Sequence, residues 1–341
     1  MALTSKKTRV LLLTHSSLVP PNTATTAELK AADWRAEYDV VQTLRNAGHE
    51  VLCVGISDEV GAVRKAVYEF RPHVAFNLTE EFDGVGFFDQ NIVSYLELLK
   101  IPYTGCNPRG LMLARDKSLA KKILSFHGLP TPSFEVFPRG GGFKRPAHLT
   151  YPAIVKAVNE EASLGISQAS IVTDEEKLEE RVNFVHEHLG TDAIAEAYIE
   201  GRELYVGVLG NMRPEALPVW EMFFPSSAGW PIATRRVKWN ANYREKHGIY
   251  SGEARELPAE LAAKVKDISR RVYRVLGLNG YARMDLRLTS KGEIHVIEAN
   301  PNPHIGKEED FAQSALKAGL TYSDLLWRIL NLGLRWRPAA E

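Results

Sequence analysis

A chain of 341 residues, 45% hydrophobic and 25% charged, is long enough for roughly two or three globular domains. Lys+Arg and Asp+Glu balance at 42 each, so the net charge points to neither nucleic acid nor an anionic membrane. Cys53 and Cys106 lie far apart and outside any metal-ligand spacing, which excludes a disulfide framework and fits a reducing cytoplasm.

The N-terminal apolar run Val10 to Leu13 is too short for a signal peptide, and no stretch approaches a membrane span. RVLLLT reads as a first buried strand. The helix AEYDVVQTLRNAGHEV, the strand EVLCVGI, the helix EVGAVRKAVYEF, the strand HVAFNL, the helix FFDQNIVSYLELLK and a short strand IPYTG follow. Strand and helix alternate and the strands are continuously apolar, so residues 1–105 are expected to form an open parallel α/β domain. Its ligands would sit at the carboxyl ends of the strands, beside the loops THSSLVPPN and NLTEEFDGVG.

The pattern changes after residue 105. RDKSLAKKILSFHGLPTP is an amphipathic helix, and FEVFP, YPAIVKAV, ISQASIVT and DAIAEAYI read as strands around the helix EEKLEERVNFVHEHLG. Residues 106–200 are thus a small α+β unit. From 201 to 341 the segments ELYVGVLG, ALPVWEMF, ARMDLRL and EIHVIEAN read as antiparallel strands, with the helix LPAELAAKVKDISRRVYRVLGL before the last pair and YSDLLWRILNLGL closing the chain.

The pair ARMDLRL–TSKG–EIHVIEAN is a hairpin with a four-residue turn. A turn centred between Ser290 and Lys291 puts Arg283 opposite Glu298, with Asp285 diagonal to it and Asn300 on the same face. Two carboxylates and an amide oxygen are hard ligands suited to Mg²⁺. An Arg–Glu pair on a solvated sheet face is the alternative. Lys156 lies inside an apolar strand and needs a partner. The loop after it holds Ser163 and Gly165, small residues that let backbone N–H groups approach a phosphate. Glu196, Glu200 and Glu203 cluster at one strand end, as acceptors for a ligand or as turn chemistry around Gly201. Neither G-x-x-x-x-G-K-[ST] nor G-x-G-x-x-G occurs, which argues against a Walker A loop and against a dinucleotide-binding dehydrogenase. The acid-rich loop Glu80–Glu81 and the run Lys307-Glu308-Glu309-Asp310 could receive a cationic or amine-bearing substrate or could be solvated loops.

RDK, GLPTP, PAIVKAVNEEASLGIS, EAYIEGREL, ALPVWE, GYARMDLRL and VIEANPNP occur in an order that resembles the ATP-grasp superfamily, in its D-alanine–D-alanine ligase branch. The resemblance implies an ATP-grasp fold: an N-terminal α/β domain, a small central α+β domain and a C-terminal antiparallel domain. It implies that Lys117 and Lys156 bind ATP phosphates under the loop 163–166. Glu196, Ala197 and Ile199 would hold adenine, and Glu203 the ribose. Lys238 would reach the phosphates from a mobile loop and Arg283 would stabilise the tetrahedral intermediate. Asp285, Glu298 and Asn300 would hold two Mg²⁺, with Mn²⁺ as a substitute. Glu80, Glu81, His304 and Gly306 would contact substrate.

The activity so implied is an ADP-forming carboxylate–amine ligase acting on amino acids or small peptides, a cytoplasmic homodimer. An authentic D-alanine–D-alanine ligase and a non-catalytic nucleotide-binding protein are the alternatives. The chain departs from the branch in the phosphate loop, the mobile loop and the substrate regions. The Glu-Arg-Glu-Val-Ser-Leu-like motif after the first strand has no clear counterpart, Ala162 replaces a serine and Trp239 a tyrosine. Asn77 stands for a histidine, and Pro303-His304-Ile305-Gly306 for Pro-Gly-Met-Thr.

Overall fold

In the computed structural model of the chain, residues 7–144, 146–159, 165–225 and 229–338 are described. The first sheet is built from β1 (Arg9–His15), β2 (Glu50–Ile56) and β3 (Val74–Asn77), all parallel in the order β2-β1-β3. Val10 to Leu13 are 0% exposed because β1 is central and covered on both faces. Around it lie α1 (Thr26–Ala31), α2 (Arg35–Asn46), α3 (Gly61–Phe70) and α4 (Asp89–Leu98). The expected strand IPYTG is reduced to a single parallel bridge between Tyr103 and Ala75. The segment is short and Pro102 has no N–H to extend the ladder.

Two helices lead out of this unit: α5 (Pro108–Arg115) and α6 (Lys117–Phe126). Asp116 ends one and caps the other, accepting from the Leu119 N–H at 2.9 Å. That cap fixes Lys117 as the first residue of α6.

The central sheet holds β4 (Phe134–Phe137), β5 (Ala153–Ala157), β6 (Ile171–Val172) and β7 (Ala193–Ala197), antiparallel in the order β4-β7-β5-β6, with α7 (Glu175–Phe184) against it. The strand expected over ISQASIVT shrinks to Ile171–Val172, because Gln168–Ser170 form a 3₁₀ turn.

The C-terminal sheet contains β8 (Arg202–Leu209), β9 (Glu215–Ala216), β10 (Trp220–Phe223), β11 (Tyr250–Glu253), β12 (Tyr281–Leu288) and β13 (Ile294–Pro301). All pairings are antiparallel, in the order β11-β10-β8-β12-β13, with β9 on β8. Two short helices, α8 (Arg235–Trp239) and α9 (Ala241–Lys246), occupy the segment expected to be a mobile loop. The long α10 (Ala259–Val275), α11 (Asp310–Lys317) and α12 (Tyr322–Arg335) complete the chain.

One apolar core runs from Leu11 and Leu13 through α4, α5 and α10 to Val206, Met284 and Val296. The opposite face of the first sheet, Val10, Leu12, Val74 and Phe76, packs with Leu325, Leu326, Ile329 and Leu330 of α12. The last helix therefore covers the first sheet. Each fully buried Leu or Ile contributes about 1.5–3 kcal/mol of transfer free energy. No helix among the described residues is long and apolar enough to cross a membrane.

Candidate active site

β12 and β13 carry the core of the site, in a register that differs from the expected one. Asp285 faces Glu298 and Arg283 faces Asn300. The turn closes on Thr289 and Glu293, with Gly292 at φ +79°, and a bulge follows at Ile297 between the pairs Leu286–Val296 and Asp285–Glu298. Each irregularity shifts the pairing by one residue. The bulge turns Glu298 and Asn300 toward the same face as Asp285, and the Asn300 amide lies 3.4 Å from Glu298 Oε1.

Arg283 grips Asp285 with both prongs of its guanidinium, at 2.7 and 2.8 Å, and lies over the Tyr205 ring at 4.8 Å. Burial nevertheless pushes the Asp285 carboxyl up to about 6, Glu298 adds to the rise, and Arg283 opposes it. For Glu298 burial acts the same way, but Lys238, Lys117, Lys156 and Arg283 outweigh it and hold the carboxyl well below the ordinary range.

A cleft between the central and C-terminal sheets brings Lys156, Lys238, Asp285 and Glu298 together with Glu196, Ala197, Ile199 and Glu203. Ile154, Ile166, Leu286 and Ile297 supply its apolar walls. Glu196, 1% exposed, shares one oxygen between Lys156 at 3.1 Å and Lys121 at 3.4 Å, while its other oxygen is buried without a partner. Burial works against the Lys156 charge, but Glu196 and Glu298 raise its pKa overall. Glu203 accepts from Arg287 at 2.5 Å and from the Tyr205 hydroxyl at 2.7 Å.

Lys117 lies outside the cleft lining but close enough for its charge to act on Glu298. Arg283 and Asn300 stand one strand step from the lining carboxylates. Gly165 borders a neighbouring cleft with Arg181, Arg235 and Tyr243, and its carbonyl accepts from Arg181. Ser163 lies outside the described residues.

Of the expected substrate residues, Glu80 and His304 line a second cavity at the end of β3, with Glu37, Asn77, Tyr281 and Asn302. Glu81 and Gly306 do not. Glu81 lies 3.5 Å from His15, and a Cβ on Gly306 would meet the His304 ring at 3.0 Å. Lys307 and Glu308 pair with Asp39 and Arg35 of α2, at 3.0 and 2.6 Å.

Sequence reasoning missed Lys121, Arg287 and Glu37. Each had a signal: Lys121 is one turn beyond Lys117 on α6, and Arg287 continues the alternation of Arg283 and Asp285. Glu37 stands on the same face of α2 as the buried Val40, Val41 and Leu44. It is 7% exposed, burial raises its pKa, and its Oε2 has no partner.

The family model described as D-ala D-ala ligase C-terminus matches residues 123–331. The chain is 31% identical over 310 residues to the uncharacterized protein y4sG of Sinorhizobium fredii, covering 88% of each. It is 31% identical over 301 residues to a D-alanine–D-alanine ligase of Desulforudis audaxviator, covering 87% of this chain and 92% of that one. The fold matches a Bacillus anthracis D-alanine–D-alanine ligase solved with ATP, at TM-score 0.75 and 22% identity over 96% of this chain and 98% of that one. The chain belongs to the D-alanine–D-alanine ligase family and is an ATP-grasp ligase that forms a C–N bond.

Proposed function

We propose that the protein joins amino acids or small peptides by activating a carboxylate with ATP. The observation that carries this reading is the facing pair Asp285 and Glu298 at a cleft that also holds Lys156 and Lys238. A substrate carboxylate attacks the γ-phosphate, giving an acyl phosphate and ADP. An amine then attacks the acyl carbon and phosphate leaves. Such chemistry depends on charge neutralisation and alignment rather than on a protein nucleophile.

In this reading Lys117, Lys156 and Lys238 neutralise the phosphates, helped by the loop 163–166. The orphaned Glu196 oxygen and the Ala197–Ile199 backbone receive adenine, Glu203 the ribose, and Arg283 the developing oxyanion. Asp285, Glu298 and Asn300 are a hard oxygen donor set of the kind that suits Mg²⁺. Glu298 is kept ionised by its cationic neighbours. Bound Mg²⁺ would screen the phosphate oxygens. The cavity with Glu37, Glu80 and His304 supplies a carboxylate oxygen for a substrate ammonium group. The three domains are residues 1–105, 106–200 and 201–341.

A second reading, an authentic D-alanine–D-alanine ligase, is favoured by the activity named for the relatives. Phosphate release from ATP and Mg²⁺ across a panel of amino acids and dipeptides separates the two. Turnover with D-alanine alone supports the second reading. Turnover only with other carboxylates and amines supports the first and names its substrates. Silence across a broad panel, with ATP bound, defeats both.

A further inference from the structure

Lys121 keeps 2% of its surface exposed and stands behind the residues that line the cleft with Lys156 and Glu298. Its ammonium is nevertheless spent inside the site. Nζ donates to the Ile297 carbonyl at 2.9 Å and lies 3.4 Å from Glu196 Oε2. Lys156 binds that same oxygen at 3.1 Å. A buried ammonium costs several kcal/mol unless its charge is compensated.

The charge count explains the arrangement. Lys156 and Glu196 alone would form a neutral pair, with little left to attract a phosphate. Burial lowers the Lys121 pKa and Glu196 opposes the fall; with Lys121 charged and sharing the carboxylate, the trio carries one net positive charge. The Ile297 carbonyl that Lys121 also holds is at the bulge beside Glu298.

We propose that Lys121 is a positioning residue that takes up part of the Glu196 carboxylate and so leaves Lys156 a net charge for the nucleotide phosphates. The inference rests on the nucleotide reading above.

The test compares affinities of the full-length protein for ATP and for adenosine by calorimetry. Adenosine reports the shape of the cleft; only ATP reports its charge. Lys121→Met should weaken ATP about tenfold and adenosine by less than about twofold. Lys121→Arg, which keeps a permanent charge, should hold the wild-type ratio. Glu196→Gln leaves the trio with two positive charges and should raise the ratio of ATP to adenosine affinity. Combined with Lys121→Met it should return the ratio to the wild-type value. Equal losses of ATP and adenosine in Lys121→Met overturn the proposal, as does failure of the double variant to recover. Should Lys121→Met not fold, a fall in the ratio in Glu196→Gln overturns it alone. A wild-type protein that binds no ATP overturns the nucleotide reading instead.

Discussion

Asp285 and Glu298 face each other across β12 and β13, yet their surroundings drive the two carboxyls in opposite directions. Burial and Glu298 push Asp285 up to about 6, while Lys238, Lys117 and Lys156 hold Glu298 low against its own burial. One is poised to lose a proton near pH 6; the other stays an anion to well below the ordinary carboxylate range.

This asymmetry has a pH signature in the metal-free protein. A carboxyl whose native pKa lies above its unfolded value of 3.8 favours folding while protonated, so its contribution is lost as pH rises through about 6. Glu298 has the opposite sign: its contribution is present above 4.5 and is lost only at lower pH. Between pH 4.5 and 6 the Asp285 effect therefore stands clear. Melting curves should show Asp285→Asn gaining stability over wild type as pH rises through that window. An unchanged difference would contradict the assignment.

Glu298→Gln removes the anion and keeps the shape. Mg²⁺-dependent ATP turnover should fall at least about a hundredfold, as for loss of a strong electrostatic contact in a transition state. Turnover close to wild type would remove Glu298 from the metal set.

Arg283→Ala should leave nucleotide affinity intact and abolish product, since Arg283 stands outside the cleft lining. Loss of the two bonds to Asp285 should also raise the pH at which Mg²⁺ is taken up, because Arg283 opposes the rise in the Asp285 pKa. Collapse of ATP binding would show that its place is with the nucleotide.

Arg115 and Asp89 form a buried pair, 2.6 Å between Nη2 and Oδ2, and Arg115 also donates to the Glu80 carbonyl at 3.3 Å. Asp89→Ala would take this carboxylate from a buried guanidinium and should cost about 3–5 kcal/mol by denaturant titration. A loss below about 1 kcal/mol would mean that solvent reaches the pair.

Gln168 holds Trp230 by two hydrogen bonds, 2.9 and 3.0 Å, and so ties the 3₁₀ turn before β6 to the segment entering α8. Gln168→Ala should raise the KM for ATP several-fold at little cost in Tm, since each such bond contributes about 1 kcal/mol. A large drop in Tm with an unchanged KM would make the contact purely structural.

Much of the chain was legible locally. Alternating strands and helices marked the parallel sheet, and the alternation in ARMDLRL and HVIEANP put Arg283, Asp285, Glu298 and Asn300 together. These are properties of neighbouring residues: a strand repeats every two and a helix every 3.6, so a face can be read from spacing. Lysines and carboxylates inside apolar runs were equally visible, because a buried charge stands out wherever it occurs.

What pairs with what depended on the tertiary structure. The turn at Gly292 and the bulge at Ile297 together moved Glu298 from opposite Arg283 to opposite Asp285, and the Ile297 carbonyl is held by a lysine on α6, far away in sequence. The sharing of Glu196 between Lys121 and Lys156, the closing of Glu37 into a cavity with His304, and the packing of α12 over β1 all join distant segments. A single sequence carries the period of each element but not the energy of bringing two of them together, and register, charge balance and burial are set by that energy.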